Sequence, residues 1–391
     1  MTTRTKLFPY PEQRVLEDAA FARGTTPTRI FALLFPVWCV TITSTVTEAE
    51  DYDLIDRYLE RGIAEGGLVT TAGLARFYAL DEVIVDRALR ALAAIGHVTW
   101  SDGVWSLTPL GLRSTREQKR YVLKAEDRRK LYFDGWESQP LTRPHYDSRK
   151  VTLAPIDAGF GSFQALYTAR GFDPGALPRL ASSPDRDRFN LPAQIDNPRL
   201  ACAPEQLFLP VYVIRALDGR RMRYLVYSQA SDEADPDLTA LAERTPEIAG
   251  VLETETRSAQ DDQQRALDWL RRNDLDDYRL SRTAGGMLRV TLPGAAFGGD
   301  KGVALYRLGS FVLQNTGFFQ VWCQDEQVRG RALLERLDYF VTARSQVSRD
   351  QIESRLARLR TQLGFTGLTA GDAAAMAEQA GNRRLANRLK G

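Results

Sequence analysis

Reactive side chains are scarce in these 391 residues, and their spacing limits the chemistry that is open. Only two histidines occur, His97 and His145, which excludes most histidine-based acid, base or metal chemistry. His145 lies in a surface-like Arg-Pro-His-Tyr-Asp run, without the H-x-K-x-x-x-x-D pattern of phospholipase-D-type nucleases. His97 opens a strand, where a structural role is expected. H-E-x-x-H and G-x-S-x-G are absent, so zincin and α/β-hydrolase chemistry are not indicated. Cys39, Cys202 and Cys323 are odd in number and form no C-x-x-C pair, which argues against a disulfide framework or a zinc site and for a reducing cytoplasm.

Three lookalikes of phosphate or nuclease motifs fail on spacing or context. The run AGFGSFQ, with Gly159 and Gly161, lacks the third glycine of a dinucleotide loop. GGDKG, residues 298–302, lacks the G-x-x-x-x-G-K-[ST] spacing. Glu117 and Lys119 have an E-x-K spacing, but in a run read as helix rather than on a strand that would hold them beside a metal. The acidic groups Asp232, Glu233, Asp235 and Asp237, like Asp274, Asp276 and Asp277, show no ligand spacing for a hard cation and read as solvated loops. The expectation is a noncatalytic chain without a cofactor.

What remains is electrostatic. A net charge of +2 is too small to mark nucleic acid or an anionic membrane as partner of the whole chain. Only seven of the 52 basic residues are lysines, an arginine bias that a GC-rich genome produces without any phosphate-reading surface. Locally the balance shifts. Residues 51–112 carry nine acidic groups against five arginines, a net −4, while residues 113–150 carry eleven basic against six acidic groups, a net +5. The candidate nucleic-acid or partner contacts are Arg87 and Arg90 on one helix, and Arg113, Arg116, Lys119, Arg120 and Lys124, which would follow one flank of a charged helix at spacings of three and four.

These residues need elements to position them. Leu54, Ile55, Tyr58, Leu59 and Ile63 form a helical stripe closed by Gly66-Gly67, and TTAGLARFYAL makes a second helix. Ile84, Val85, Ala88, Leu89, Leu92 and Ile95 form the apolar face of a third, capped by Asp81. HVTW, the turn SDG and VWSLT then make a hairpin, since Asp-Gly between alternating apolar residues is a strong turn signal. Upstream, IFALLFPVWCVTI is too short for a transmembrane helix, lacks a cleavage site, and reads as a buried β-branched strand. Downstream, LFLPVYVIRALDGRRMRYLVYSQ is a second Asp-Gly hairpin, and MLRVTLPG, VALYRLGSFVLQ and GFFQVWCQ add strands between helices. Residues 170–206, rich in Pro, Asp and Arg, read as a long irregular loop.

Three helices and a hairpin in this order resemble a winged helix-turn-helix over residues 50–115. LTPLG after the hairpin is similar to the wing exit of many bacterial members. The following RRKLYFDGWESQPL resembles a phrase in uncharacterised winged-helix proteins encoded in bacterial defence-type gene clusters. A DNA-reading winged helix places its third helix in the major groove, yet three of the five outward positions there, Asp81, Glu82, Asp86, Arg87 and Arg90, are acidic.

The expected fold is α+β: residues 1–49 with a buried strand, a winged helix at 50–115, a charged helix and linker at 116–150, an α+β domain on antiparallel hairpins at 151–343, and a helical tail at 344–391. Three functions stand side by side. The first is a noncatalytic adaptor or interaction subunit of a bacterial multi-component system, of the anti-phage defence kind, its protein partner encoded in the same operon. Nucleic acid stays open as a partner by another route than the recognition-helix face, and no membrane is expected. The second is a DNA-binding transcriptional regulator with a C-terminal sensing domain. An enzyme of unrecognised class, a nuclease or hydrolase with its site near residues 170–206, is the third.

Overall fold

The computed structural model describes residues 7–158, 161, 163–254, 259–298, 302–344 and 346–390; of residues 123–125, 158, 259 and 260 it describes the backbone alone. The first element is α1 (Gln13–Glu17), continued by a π-helical turn at Asp18–Ala22. The apolar run then forms the 25-residue strand β1 (Thr26–Glu50), as its β-branched residues favour. The chain divides into two compact units. One comprises Met1–Pro36, Asp147–Thr168 and Leu207–Gly391, the other Val37–Tyr146 and Ala169–Gln206.

In the second unit, Asp53, Thr70 and Asp81 cap α2 (Leu54–Ala64), α3 (Thr71–Tyr78) and α4 (Glu82–Ala94), each side chain accepting a backbone N–H of the first turn. The hairpin strands β2 (Val98–Ser101) and β3 (Val104–Leu107) follow, with Asp102 and Gly103 both at positive φ in the turn. Leu59, Leu74, Val85, Leu89, Leu92, Val98 and Trp105 form the core of this module.

The charged helix expected after the hairpin is not one element. Helix α5 (Pro109–Glu117) stops at Gln118, whose φ of 52° is left-handed, and β4 (Arg120–Asp134) runs antiparallel to β1 from Glu50↔Arg120 to Val37↔Asp134. The reason is visible along Glu126–Phe133. Exposed and half-buried residues alternate there with period two, ending in the buried Leu131 and Phe133. Charged residues on the outer face of a strand mimic a solvated helix when only composition is read.

Beyond this, His145 is buried, contrary to its surface-like context, within a 3-10 turn where its Nδ1 meets Thr142. The chain contributes the short strand β5 (Gln164–Ala165) to the first unit. It then returns with α6 (Ala176–Ser182) and β6 (Ile195–Leu200). The stretch 170–206 is therefore not a bare loop: Leu177, Leu180, Leu191 and Ile195 pack on Val40, Ile42, Leu131 and Phe133 of the β1–β4 pair.

The first unit places β7 (Glu205–Asp218) beside β1 and joins it by a tight turn to β8 (Arg221–Ser228). Its helices α7 (Pro236–Arg244), α8 (Pro246–Glu253) and α9 (Ala259–Arg272) precede a four-stranded sheet. That sheet is built from β9 (Arg279–Arg282), β10 (Leu288–Leu292), β11 (Phe311–Gln314) and β12 (Gly317–Cys323). The β10–β12 pair is parallel, its other pairs antiparallel. Of the run 303–314, read as strand from sequence, Phe311–Gln314 is one, while Leu305–Arg307 is a 3-10 turn. A helical tail closes the chain with α10 (Glu326–Thr342), α11 (Arg349–Leu363), α12 (Ala370–Gln379) and α13 (Arg383–Lys390), whose Leu333, Leu337, Leu356, Leu359 and Leu385 share a core with Val290 and Val321. The fold class is mixed α+β with mainly antiparallel sheets. Among the described residues no helix is long and apolar enough to cross a membrane.

Candidate functional site

The module of residues 50–117 has a charged interior. Glu60 and His97 are both fully buried, with Glu60 Oε1 at 2.5 Å from His97 Nδ1. On its far side His97 Nε2 meets the Tyr121 carbonyl at 2.6 Å. A carbonyl only accepts, so Nε2 carries a proton, and with a carboxylate at Nδ1 the ring donates from both nitrogens. Burial lowers the pKa of His97, the bonds to Glu60 and Tyr121 raise it, and the net direction is upward. The other oxygen of Glu60 accepts from Tyr52 (2.5 Å) and Thr115 (3.3 Å). With no surface for a substrate to reach, this pair is a clamp joining α2, the start of β2, α5 and the start of β4. Sequence reading missed it; the one available signal was an acidic residue beside Leu59 on the apolar side of α2.

The residues that carry the winged-helix resemblance have local work to do. Thr108 caps α5 by accepting from the Gly111 N–H and donates to the Gly96 carbonyl at 2.6 Å. Pro109 supplies the first helical turn. At Gly111 a Cβ would lie 2.1 Å from the His97 carbonyl oxygen, so only glycine lets α5 approach there. In DGWESQP, the buried Asp134 accepts backbone N–H bonds from Trp136 (2.9 Å), Glu137 (2.7 Å) and Gln139 (2.7 Å). That carboxylate folds the turn on itself and presents no reactive group.

The outward face is apolar where a DNA reader is basic. Val83, 75% exposed, and Ile84 stand on the first turn of α4, with Glu82 beside them. Just before that turn, at the end of α3, Phe77 is 67% exposed. Its ring packs edge-on against Tyr78 (4.9 Å), which in turn meets Tyr58 of α2 at 5.9 Å. Leu54 lies one turn before Tyr58 and is exposed as well. On the hairpin, Trp100 is half exposed over Trp105 at 4.8 Å, while Trp105 itself is buried and donates Nε1 to Thr71.

The seven basic candidates do not lie along one helix: they are spread over α4, α5, the turn after it and β4. Arg87 and Arg90 are exposed on α4, but Arg90 is held by Asp86 at 2.8 Å. Arg113 is engaged by Asp196 (2.7 Å) and Glu117 (3.3 Å) and lies over the Tyr121 ring. Arg120 faces Asp56 at 3.9 Å, with its Nε buried. Arg116 and Lys119 are exposed. The side chain of Lys124 lies outside the described residues. The expected row along one helix flank is lost because α5 ends before Lys119 and the chain turns into β4. Among the described residues no group of His, Cys, Asp and Glu could hold a metal ion. No family model, curated protein or solved structure matches this chain.

Proposed function

We propose that residues 50–115 are a winged helix turned to protein docking, and that the chain is a noncatalytic adaptor subunit working in the cytoplasm of a bacterial multi-component system. One observation carries this reading. The start of the third helix, which a DNA-binding member lays into the major groove, presents Val83 and Ile84 beside Glu82, while Asp86 neutralises Arg90. Exposed apolar side chains such as Leu54, Tyr58, Phe77 and Val83 are what a protein interface buries. The module's net −4 selects the partner: a protein surface with an apolar centre and a basic rim.

The test is co-expression of the full chain with the product of each neighbouring gene, followed by size-exclusion chromatography and mobility-shift titration with duplex DNA from its own upstream region. One neighbour should co-elute as a stable complex, and Phe77→Glu or Val83→Glu should abolish the complex while Arg87→Ala leaves it. Tight, salt-sensitive, sequence-specific DNA binding that is lost on Arg87→Ala and Arg90→Ala would overturn the proposal and make the chain a transcriptional regulator. Elution alone with every neighbour would also overturn it.

A further inference from the structure

A second surface of interest lies in the unit that holds the helical tail. The α1 region, residues 306–313, α10 and α11 enclose a cavity of about 820 Å³, within the range of small-molecule sites. Arg336 and Arg355 line it together with Arg14 and Arg307, and with the carboxylates Glu12, Glu17 and Glu335. Arg336, 8% exposed, donates from Nη2 to the carbonyls of Leu305 (3.1 Å), Tyr306 (2.7 Å) and Leu308, while its Nε has no hydrogen-bond partner. Arg355, from α11, has a buried Nε without a partner too; among the described residues it makes no ion pair, and its guanidinium lies 5.9 Å from the Phe340 ring.

Two of the three lining carboxylates are already used by other donors. Glu17 accepts from Ser310 (2.6 Å) and Gln362 (3.0 Å) and faces Arg14 at 3.8 Å. Glu12 accepts from Tyr212 at 2.9 Å, and Glu335 is exposed. Burial, followed by the like charges of Arg14, Arg336 and Arg358, pushes the Arg355 guanidinium down to about 10, against the opposing pull of Glu17. Glu17 and Glu335 act on Arg336, and Glu17 on Arg355, yet burial still lowers both guanidiniums, so an anion entering the cavity would relieve cations that its carboxylates offset only in part. Tyr306 and Tyr339, both strongly exposed, border the same cavity, with Phe311 and Leu313 on its wall.

We propose that this cavity binds a phosphorylated small molecule with a flat aromatic group, a nucleotide, whose phosphate is taken by Arg355 and Arg336 and whose ring lies against Tyr306 and Tyr339. Guanidinium forks match phosphate oxygens, and exposed aromatic rings stack on bases without regard to their identity. This inference is independent of the docking face.

Calorimetric titration of the full chain tests it, with the four ribonucleoside diphosphates, the matching nucleosides and inorganic phosphate as probes. At least one diphosphate should bind at micromolar concentration. Arg355→Gln should weaken it tenfold or more and leave the nucleoside unchanged. Tyr339→Ala, at a position 76% exposed, should weaken diphosphate and nucleoside alike and spare phosphate. Because Arg355→Gln removes a charge that burial disfavours, it should also raise the melting temperature of the ligand-free chain. No binding of any diphosphate at millimolar concentration would overturn the proposal. So would unchanged affinity in Arg355→Gln, or a lowered melting temperature, which would make Arg355 a structural residue.

Discussion

Replacing Glu60 with leucine should open the three-helix and hairpin module while leaving the other unit intact. The carboxylate is completely buried and serves three donors: His97 Nδ1, Tyr52 and Thr115. Leucine fills similar space but accepts nothing. The two hydroxyls can rotate toward other acceptors; Thr115 already donates to the Gly111 carbonyl at 2.9 Å. The histidine cannot, because its other nitrogen is fixed on the Tyr121 carbonyl. Removing one partner of a buried ion pair costs about 3–5 kcal/mol, so the module should lose about 4 kcal/mol. That is a large share of the stability of an ordinary domain. Hydrogen–deuterium exchange of the full chain reads it locally: at about 1.4 kcal/mol per factor of ten, interior amides of α2 and α4 should exchange roughly three orders of magnitude faster. Amides of β10 and β12 should not change. Glu60→Gln, which keeps one acceptor for His97, should cost less. Acceleration below about tenfold in α2 and α4, or equal acceleration in β10 and β12, would refute the clamp.

Other expectations follow from the same geometry. The raised pKa of His97 means that its contribution to stability is fully present below the ordinary histidine value of 6.5 and is lost as pH rises through the folded value; intrinsic-rate-corrected exchange of α2 should therefore speed up on the alkaline side, and a flat profile would count against the charged form. Leu89→Ala removes a fully buried side chain and should cost about 2–5 kcal/mol in chemical denaturation; a cost under half a kcal/mol would mean that α4 presents another face to the core. Gly111→Ala should cost about 1–3 kcal/mol, because α5 must move off the His97 carbonyl, and unaltered exchange in α5 would contradict that contact. Any DNA affinity of the full chain should respond to Arg116→Gln and Lys119→Gln, with a salt dependence shallower by up to about two counterions, and hardly at all to Arg113→Gln, whose charge is already matched by Asp196 and Glu117.

Much of the helical and hairpin architecture could be read from the chain, because Asp53, Thr70, Asp81 and the Asp102-Gly103 turn are local signals that packing did not override. Strand β4 was hidden by the opposite situation. Its stretch 126–130 is charged at all five positions, three of them exposed, and what makes it a strand is β1, distant in sequence. The Glu60–His97 clamp and the Arg336–Arg355 cavity were equally illegible, since each joins residues far apart in the chain that single-sequence periodicity cannot pair. The common helix flank of Arg113, Arg116, Lys119, Arg120 and Lys124 does not form because Gln118, by taking a left-handed φ, ends the helix on which it depended.

The interleaving of the two units bears on how the protein is made. Ile30–Pro36 is among the most apolar runs in the chain, yet its neighbour β7 is synthesised only after the other unit. At translation rates of roughly 5–20 residues per second, that nascent strand edge waits on the order of ten seconds for its pairing partner. Meanwhile Val37–Tyr146 and Ala169–Gln206 supply β4 and β6, which pair with the second half of β1, so this unit can close first and anchor the strand in register before the rest of the chain exists. Nascent-chain proteolysis of arrested intermediates should then find the inserted unit protected while Ile30–Pro36 is still open to cleavage or to a trigger-type chaperone.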